Sequence, residues 1–220
     1  MNASEVGTML DAATRNNRLL VEAVWTRWQP RMQRMAKIVK SGELGEVTGI
    51  SSAFTFQGDL TDNYRLDPSL GGGALLDVGV YQAHLWLMLL NEDVSFSIES
   101  VERTMGATGV DLTTRAQLQL NNSVAAQLLA SFDMPAQQRI EVTGTTAAMR
   151  TGEGEAFTLW KQPSTLLIGE TVEHFEADDA FALMVHGVSA AIEAEESTIF
   201  PAASSLRAAE ITDAIARFNN

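Results

Sequence analysis

The sequence predicts an α+β protein: a mainly antiparallel open sheet with helices on one face, preceded by a single helix-strand unit. Three observations lead there. Beyond Asn91, five short strand-like runs at 95–105, 111–120, 123–132, 139–144 and 157–161 succeed one another with turn residues between them. Successive runs without intervening helices are the pattern of hairpins and hence of antiparallel pairing. Helical patterns stand before and after that block, while the helix-strand unit at the N-terminus occurs only once.

Taken in order, Asn2-Ala-Ser-Glu5 resembles a capping box and predicts a helix to about Arg15, with Val6, Met9, Leu10 and Ala13 on its buried side. Asn16-Asn17 breaks it. The apolar run 19–25 has the pattern of a strand buried on both faces. Met32, Met35, Ala36, Ile38 and Val39 mark a helix over 30–41 that Gly42 stops, and β-branched and aromatic residues predict a strand over 46–56. A loop over 57–73 leads into the apolar run 74–90, which is shorter than the roughly 20 residues of a membrane span and carries Asp77 and His84, so it reads as a core helix. After the sheet, 179–193 presents Phe181, Met184, Val185, Val188 and Ile192 on one helical face, and 204–218 presents Leu206, Ala209, Ile211, Ile215 and Phe218.

Bulk properties narrow the function. With 220 residues, 45% hydrophobic and 20% charged, the chain is long enough to bury a core and reads as a soluble globular protein. A net charge of −13 argues against a nucleic-acid partner, whose phosphates need clustered Lys and Arg. The absence of cysteine removes disulfides, thiolate metal sites and thiol nucleophiles together. Residues 1–10 lack the basic start and apolar core of a signal peptide, so a cytoplasmic location is the default expectation. His84, His174 and His186 form no ligand pair at helical spacing, so no metal site is expected, and G-x-S-x-G does not occur.

The most informative stretch is Asp67-Pro-Ser-Leu-Gly-Gly-Gly-Ala-Leu-Leu-Asp77-Val-Gly-Val-Tyr81. Here a proline turn and three glycines launch an apolar helix whose Asp77, Tyr81 and His84 stand at i, i+4 and i+7, on one face. Burying a neutral polar group without a partner costs roughly 2–7 kcal/mol, so such a stripe needs a pairing or a wet pocket. The plainer explanations are a first-turn carboxylate answering the helix dipole, a core aromatic with its hydroxyl tied off, and a satisfied core histidine.

Glu22-Ala-Val-Trp25-Thr-Arg27-Trp28-x-Pro30, Ser41-Gly-Glu-Leu-Gly45 and the Asp67–Tyr81 motif stand in an order and spacing that resembles the Gfo/Idh/MocA oxidoreductases, closest to the dihydrodiol dehydrogenase and D-xylose dehydrogenase branch. The similarity runs from Asn2 to Phe218 and matches the later two thirds of a family member. It implies an NAD(P)-dependent oxidoreductase acting on a sugar or trans-dihydrodiol hydroxyl by hydride transfer, with NADP or NAD as cofactor. Residues 1–25 would be the remnant of a Rossmann dinucleotide-binding domain and 26–220 a C-terminal substrate-binding and dimerisation domain. No G-x-G-x-x-G follows a predicted strand.

By the same resemblance Tyr81 is the acid/base residue, and Asp77 orients substrate hydroxyls or the catalytic group. Trp25 and Arg27 line the substrate and nicotinamide pocket, Arg65 could grip a sugar hydroxyl or carboxylate, and His84 completes the substrate-binding set. The helix start at Gly72 and Gly73 would approach the cofactor. The family's activating lysine has no counterpart, since lysine occurs only at 37, 40 and 161. The resemblance therefore implies a truncated form lacking the cofactor-binding half and inactive alone. The alternatives are a non-catalytic binding or oligomerisation module and one subunit of a split dehydrogenase. A homodimer through the sheet is expected, with the alternating run 124–132 supplying apolar side chains, and the unpaired strand at 19–24 should make the isolated chain less stable than a full-length relative.

Overall fold

A computed structural model describes residues 2–159, 161–194 and 201–219. Eight strands, β1 (Val47–Gln57), β2 (Phe96–Met105), β3 (Asp111–Leu120), β4 (Val124–Ser131), β5 (Asp133–Gly144), β6 (Ala148–Thr151), β7 (Ser164–Ile168) and β8 (Thr171–Phe175), form one sheet in the order β2-β3-β4-β1-β5-β6-β7-β8. Hairpin-connected strands lie side by side, but β1 comes from before the helical layer and inserts between β4 and β5. It runs parallel to β4, with Ile50 opposite Ala126, and antiparallel to β5, with Ile50 opposite Val142. Every other pairing is antiparallel, so the fold is the mainly antiparallel α+β architecture expected.

The helices are α1 (Ala3–Arg15), α2 (Pro30–Ser41), α3 (Val80–Leu89, preceded by a wide turn), α4 (Ala180–Ala194) and α5 (Ala203–Arg217). The capping box forms as the sequence specifies: Asn2 accepts from the Glu5 amide, and Glu5 reaches back to the Asn2 amide. α2 buries Met32, Met35, Ala36 and Ile38, and α5 buries Ile211 and Ile215. The face of the sheet that meets α3 is apolar and buried: Ile50 and Phe54, Ala116 and Leu118, Ala126 and Leu128, Ile140 and Val142. Inside it, Ser52 Oγ donates to Gln82 Oε1 at 2.8 Å, joining β1 to α3 without leaving either group dry. The other face carries Ser51, Arg115, Gln117, Gln127 and Arg139. Val124, Ala126, Leu128, Ala130 and Phe132, the apolar side of the run expected above at a self-association surface, are therefore core, and the open face is mostly polar, with Ala53 and Leu129 among its charged and amide side chains.

Several expectations are corrected. Residues 19–24 join no ladder; Leu19 is half exposed, and short turns from Val24 to Glu22 and from Trp25 to Ala23 end the run. A doubly buried strand needs neighbours on both edges, and all eight strands pair among themselves. Nor does α1 bury any residue, and Met9 is exposed, because α1 packs mainly against α5. On α4, Val185 and Ile192 are exposed and Phe181 is partly covered by Trp25, so its apolar face is only partly packed. Residues 157–159 are irregular, held by Gln138, and Trp160 lies outside the described residues. Strands β6–β8 escaped the sequence reading because they are only four or five residues long. Among the described residues, no helix is long and apolar enough to cross a membrane.

Candidate functional site

The loop over 57–73 is built from its own polar side chains. Asn63 caps a short 3₁₀ turn, Tyr64–Leu66, by accepting from the Arg65 amide, and Asp67 caps the next, Pro68–Leu70, by accepting from the Ser69 amide. The chain then folds back on itself: the Gly72 amide donates to Asp67 O and the Gly73 amide to Arg65 O, both at 2.9 Å. A Cβ on Gly72 would stand 2.6 Å from Arg65 O, and Gly73 sits at φ +114° against Asp111, so both positions demand glycine. This closed turn delivers Tyr64 and Arg65 to the mouth of the motif helix.

That helix opens with a π turn over Leu75–Gly79, one residue wider than an α turn, and Asp77 lies in its middle. Both carboxylate oxygens of Asp77 are engaged: Tyr64 Oη donates to Oδ1 at 3.1 Å and Arg65 Nε donates to Oδ2 at 2.8 Å. Arg65 also lies over the Tyr64 ring at 4.8 Å and the Phe56 ring at 5.9 Å. The Asp77 side chain keeps 15% of its surface and that of Arg65 28%, so the pair is shielded but open to solvent on one side.

One turn on, Tyr81 is half-buried among rings. Trp25 meets it edge-on at 6.5 Å, and Phe54 and Phe157 tilt against it at 5.9 and 6.3 Å. Phe181 of α4 stacks on Trp25 at 5.2 Å, and Phe54 on Phe157 at 5.3 Å. Burial pushes the Tyr81 phenol above its ordinary value; a hydrogen bond from Trp25 opposes this, Asp77 and Glu22 reinforce it, and Arg65 contributes only a weak counter-pull. The Tyr64 phenol is also raised, first by burial and then by the Asp77 charge. At neutral pH Tyr81 therefore holds its proton.

The structure thus places Asp77, Arg65, Tyr81 and Trp25 in one neighbourhood. It separates the other predicted residues from it. His84 is 1% exposed and its Nε2 meets Glu22 Oε2 at 3.1 Å, which makes it a core histidine. Arg27 is buried in an ion pair with Glu92 at 2.5 Å and faces a different cleft. Gly72 and Gly73 spend their amides on their own loop, and the helix start is answered by Asp111, whose Oδ2 accepts from the Leu75 amide at 2.9 Å. These two glycines consequently offer no cradle for a pyrophosphate, which needs free backbone N–H groups. The wall around Tyr81 suits the reacting end of a nicotinamide cofactor; the phosphate end finds no match in the glycine turn.

Sequence reading missed Tyr64, Asp111, Phe54, Phe157 and Phe181. Tyr64 and Arg65 are adjacent in the chain and twelve or more residues from Asp77, so the signal available was their place directly before the glycine run. Asp111 opens β3 and is joined to the motif helix only by tertiary packing. Burial raises its carboxyl above the usual range, against hydrogen bonds from Thr114 and the Leu75 amide. Among the described residues, no group of three or more His, Asp or Glu is placed to hold a metal.

Comparison with known proteins gives this geometry a lineage. Residues 32–150 match the GFO/IDH/MocA C-terminal domain. The chain is 28% identical over 203 residues to D-xylose 1-dehydrogenase (NADP(+)) 2 of Haloferax volcanii, covering 89% of this chain and 61% of that protein. It is 29% identical over 174 residues to trans-1,2-dihydrobenzene-1,2-diol dehydrogenase of Mus musculus, covering 79% of this chain and 50% of the relative. In fold it superimposes on KijD10, a 3-ketoreductase from Actinomadura kijaniata solved with NADP and TDP-benzene, with a TM-score of 0.85 at 24% identity, over 97% of this chain and 66% of that one. Aldose-aldose oxidoreductase from Caulobacter crescentus gives a TM-score of 0.86 at 19% identity, over 98% and 66%. The chain spans half to two thirds of the length of these proteins. With more than half of its residues inside the family's domain, the chain belongs to the GFO/IDH/MocA family.

Proposed function

We propose that this chain forms the substrate side of an NAD(P)-dependent oxidoreductase that acts on a sugar or trans-dihydrodiol hydroxyl, with Tyr81 exchanging the hydroxyl proton and Asp77 orienting the substrate. The observation that carries this reading is the Tyr64–Asp77–Arg65 cluster, partly open to solvent, one helical turn from a phenol walled by Trp25, Phe54 and Phe157. A flat aromatic wall beside a carboxylate and a guanidinium suits a polyol: rings cover its C–H faces while the charged groups bind its hydroxyls. Kinship to D-xylose and dihydrodiol dehydrogenases points the same way.

The nicotinamide of NADP or NAD, when bound, exchanges the hydride with the reacting carbon. This chain's own residues handle the proton. A phenol held protonated donates to the oxygen of a carbonyl being reduced; to act in the other direction it must first lose that proton. Arg65 is the nearby cation, but its Nε is committed to Asp77. The arrangement favours Tyr81 as an acid.

In this reading residues 1–25 belong with the nucleotide-holding side and 26–220 with the substrate-binding unit, since α1 buries no residue of its own. The polar open face of the sheet would carry the homodimer. A second reading is favoured by the occupied amides of Gly72 and Gly73: a binding module, or one subunit of a split dehydrogenase whose dinucleotide cradle another polypeptide supplies.

The test is saturation-transfer NMR of the purified chain with D-xylose and with trans-1,2-dihydrobenzene-1,2-diol, alongside NADP reduction followed by absorbance. At least one ligand should receive saturation, D77A should abolish it, and Y81F should keep binding while removing any turnover. Absence of binding by both ligands at millimolar concentration, or identical behaviour of D77A and the parent chain, refutes the proposal.

A further inference from the structure

The largest cavity described, about 610 Å³, is not at Tyr81 but lies between α2 and the C-terminal end of α3. From α2 it is lined by Gln33, Ala36, Lys37 and Lys40, which recur at i, i+3, i+4 and i+7 and so form one stripe of that helix. Leu87, Met88 and Asn91 line it from the α3 side, and Trp28 with the Arg27–Glu92 ion pair adjoins them. The Arg27–Glu92 pair is neutral as a unit, so the charge left in the cleft is that of Lys37 and Lys40.

That is unusual placement. The chain has 28 acidic and 15 basic residues and only three lysines, and two of the three face this one cleft. No described residue makes a salt bridge to either ammonium. Glu43 feels Lys37, but its carboxylate is already taken by Arg34 at 3.0 and 3.1 Å. Residues three apart on a helix stand about 5–6 Å from each other at Cβ, a spacing from which two ammonium groups can grip one doubly charged anion. Gln33 and Asn91 supply hydrogen-bonding groups at the rim, and Leu87, Met88 and Trp28 give an apolar wall for the carbon part of a ligand.

We propose that this cleft is a second binding site, separate from the Tyr81 neighbourhood, for a small dianion carrying an apolar or sugar portion: a phosphomonoester or a dicarboxylate. Two uncompensated ammonium groups match two negative charges, and the surrounding −13 field makes an anion elsewhere on the surface unfavourable. The reading is independent of any dehydrogenase activity.

Equilibrium dialysis of the full chain against radiolabelled inorganic phosphate, at ionic strength fixed with chloride, measures this directly. One equivalent should bind with millimolar or better affinity, K37A/K40A should weaken it at least tenfold, and K161A should leave it unchanged. Competition then separates the sources: equal displacement by succinate and by a sugar phosphate assigns a general dianion site, and displacement by the sugar phosphate alone assigns a phosphomonoester site. No saturable binding at 10-fold the protein concentration up to tens of millimolar phosphate, or equal binding by K37A/K40A and the parent, overturns the proposal. Circular dichroism of the double variant guards against misfolding, which two exposed helical substitutions should not cause.

Discussion

Asp111→Ala is the sharpest test of how the motif helix is held. Asp111 Oδ2 accepts from the Leu75 amide at 2.9 Å and from Thr114 Oγ1 at 2.6 Å, and Gly73 is glycine because this carboxylate occupies the space a Cβ would fill. Removing it deletes the cap of a helix start, worth about 1 kcal/mol, and orphans a buried N–H, which costs about 1–3 kcal/mol. These overlap, so a loss of about 2 kcal/mol is expected, which lowers the melting temperature by about 4–8 °C at this chain length. Asn keeps the acceptor without the charge. Because burial raises the Asp111 carboxyl above its ordinary value of 3.8, the folded chain binds its proton more readily than the unfolded one. Its contribution to stability is therefore full below pH 3.8 and is lost as pH rises through the raised value. D111N and D111A, neither of which can ionise, should both gain on the parent as pH rises above 3.8, with D111A the less stable of the two throughout. Thermal and urea denaturation by circular dichroism reads both. A D111A midpoint within 1 °C of the parent, or a D111N difference that shrinks with rising pH, refutes the capping argument.

Three further outcomes follow from the same contacts. The chain has two tyrosines, both with raised phenols, so near-ultraviolet titration should place both inflections above the ordinary phenol value of 10.0; Y64F should leave a single late inflection, and W25F should move it higher still. E92A leaves the buried Arg27 guanidinium without its carboxylate and should cost about 3 kcal/mol in urea unfolding, of which the double change R27M/E92L recovers most. G72A drives a Cβ against the Arg65 carbonyl, which is backbone and cannot swing aside, and should cost about 1–3 kcal/mol as well as displacing Arg65 from Asp77, visible as a changed Tyr64 titration.

What was legible in the sequence was what local chemistry decides. Asn2 and Glu5 cap α1, Gly42 ends α2, and the runs 46–56, 111–120 and 123–132 predict strands that form, although the apolar side of 124–132, expected at a self-association surface, packs into the core. The motif also identified the helix carrying Asp77 and Tyr81. What failed depends on partners far along the chain. An apolar run such as 19–24 looks like a buried strand, but only a neighbouring strand makes it one, and Trp25 instead packs against Tyr81 and Phe181. The stripe 77, 81 and 84 assumed a regular α-helix; the π turn at 75–79 changes the rotation of Asp77, which turns to the Tyr64–Arg65 loop while His84 turns to Glu22. Asp111 could not be read as a cap at all, because a side chain 36 residues away supplies what the helix start lacks.

The proton on Tyr81 is set by how Arg65 divides its charge. Burial is the largest influence and raises the phenol; Asp77 adds to it directly, and holds Arg65 Nε at 2.8 Å, so the charge of the Arg65 guanidinium is countered by the same carboxylate that opposes phenolate. Asp77→Asn alters both at once: it removes a negative charge near the phenol and leaves the guanidinium uncompensated. Each change lowers the pKa of Tyr81, so in a Y64F background, where Tyr81 alone titrates, D77N should move the inflection to lower pH. R65M should move it the other way, and D77N/R65M should fall between. An inflection unmoved by both D77N and R65M would mean that neither charge acts on Tyr81, and the phenol would then be governed by its aromatic walls alone. The same series orders reactivity: a lower phenol pKa favours proton removal from an alcohol, and the parent chain, with its proton held, favours delivery to a carbonyl.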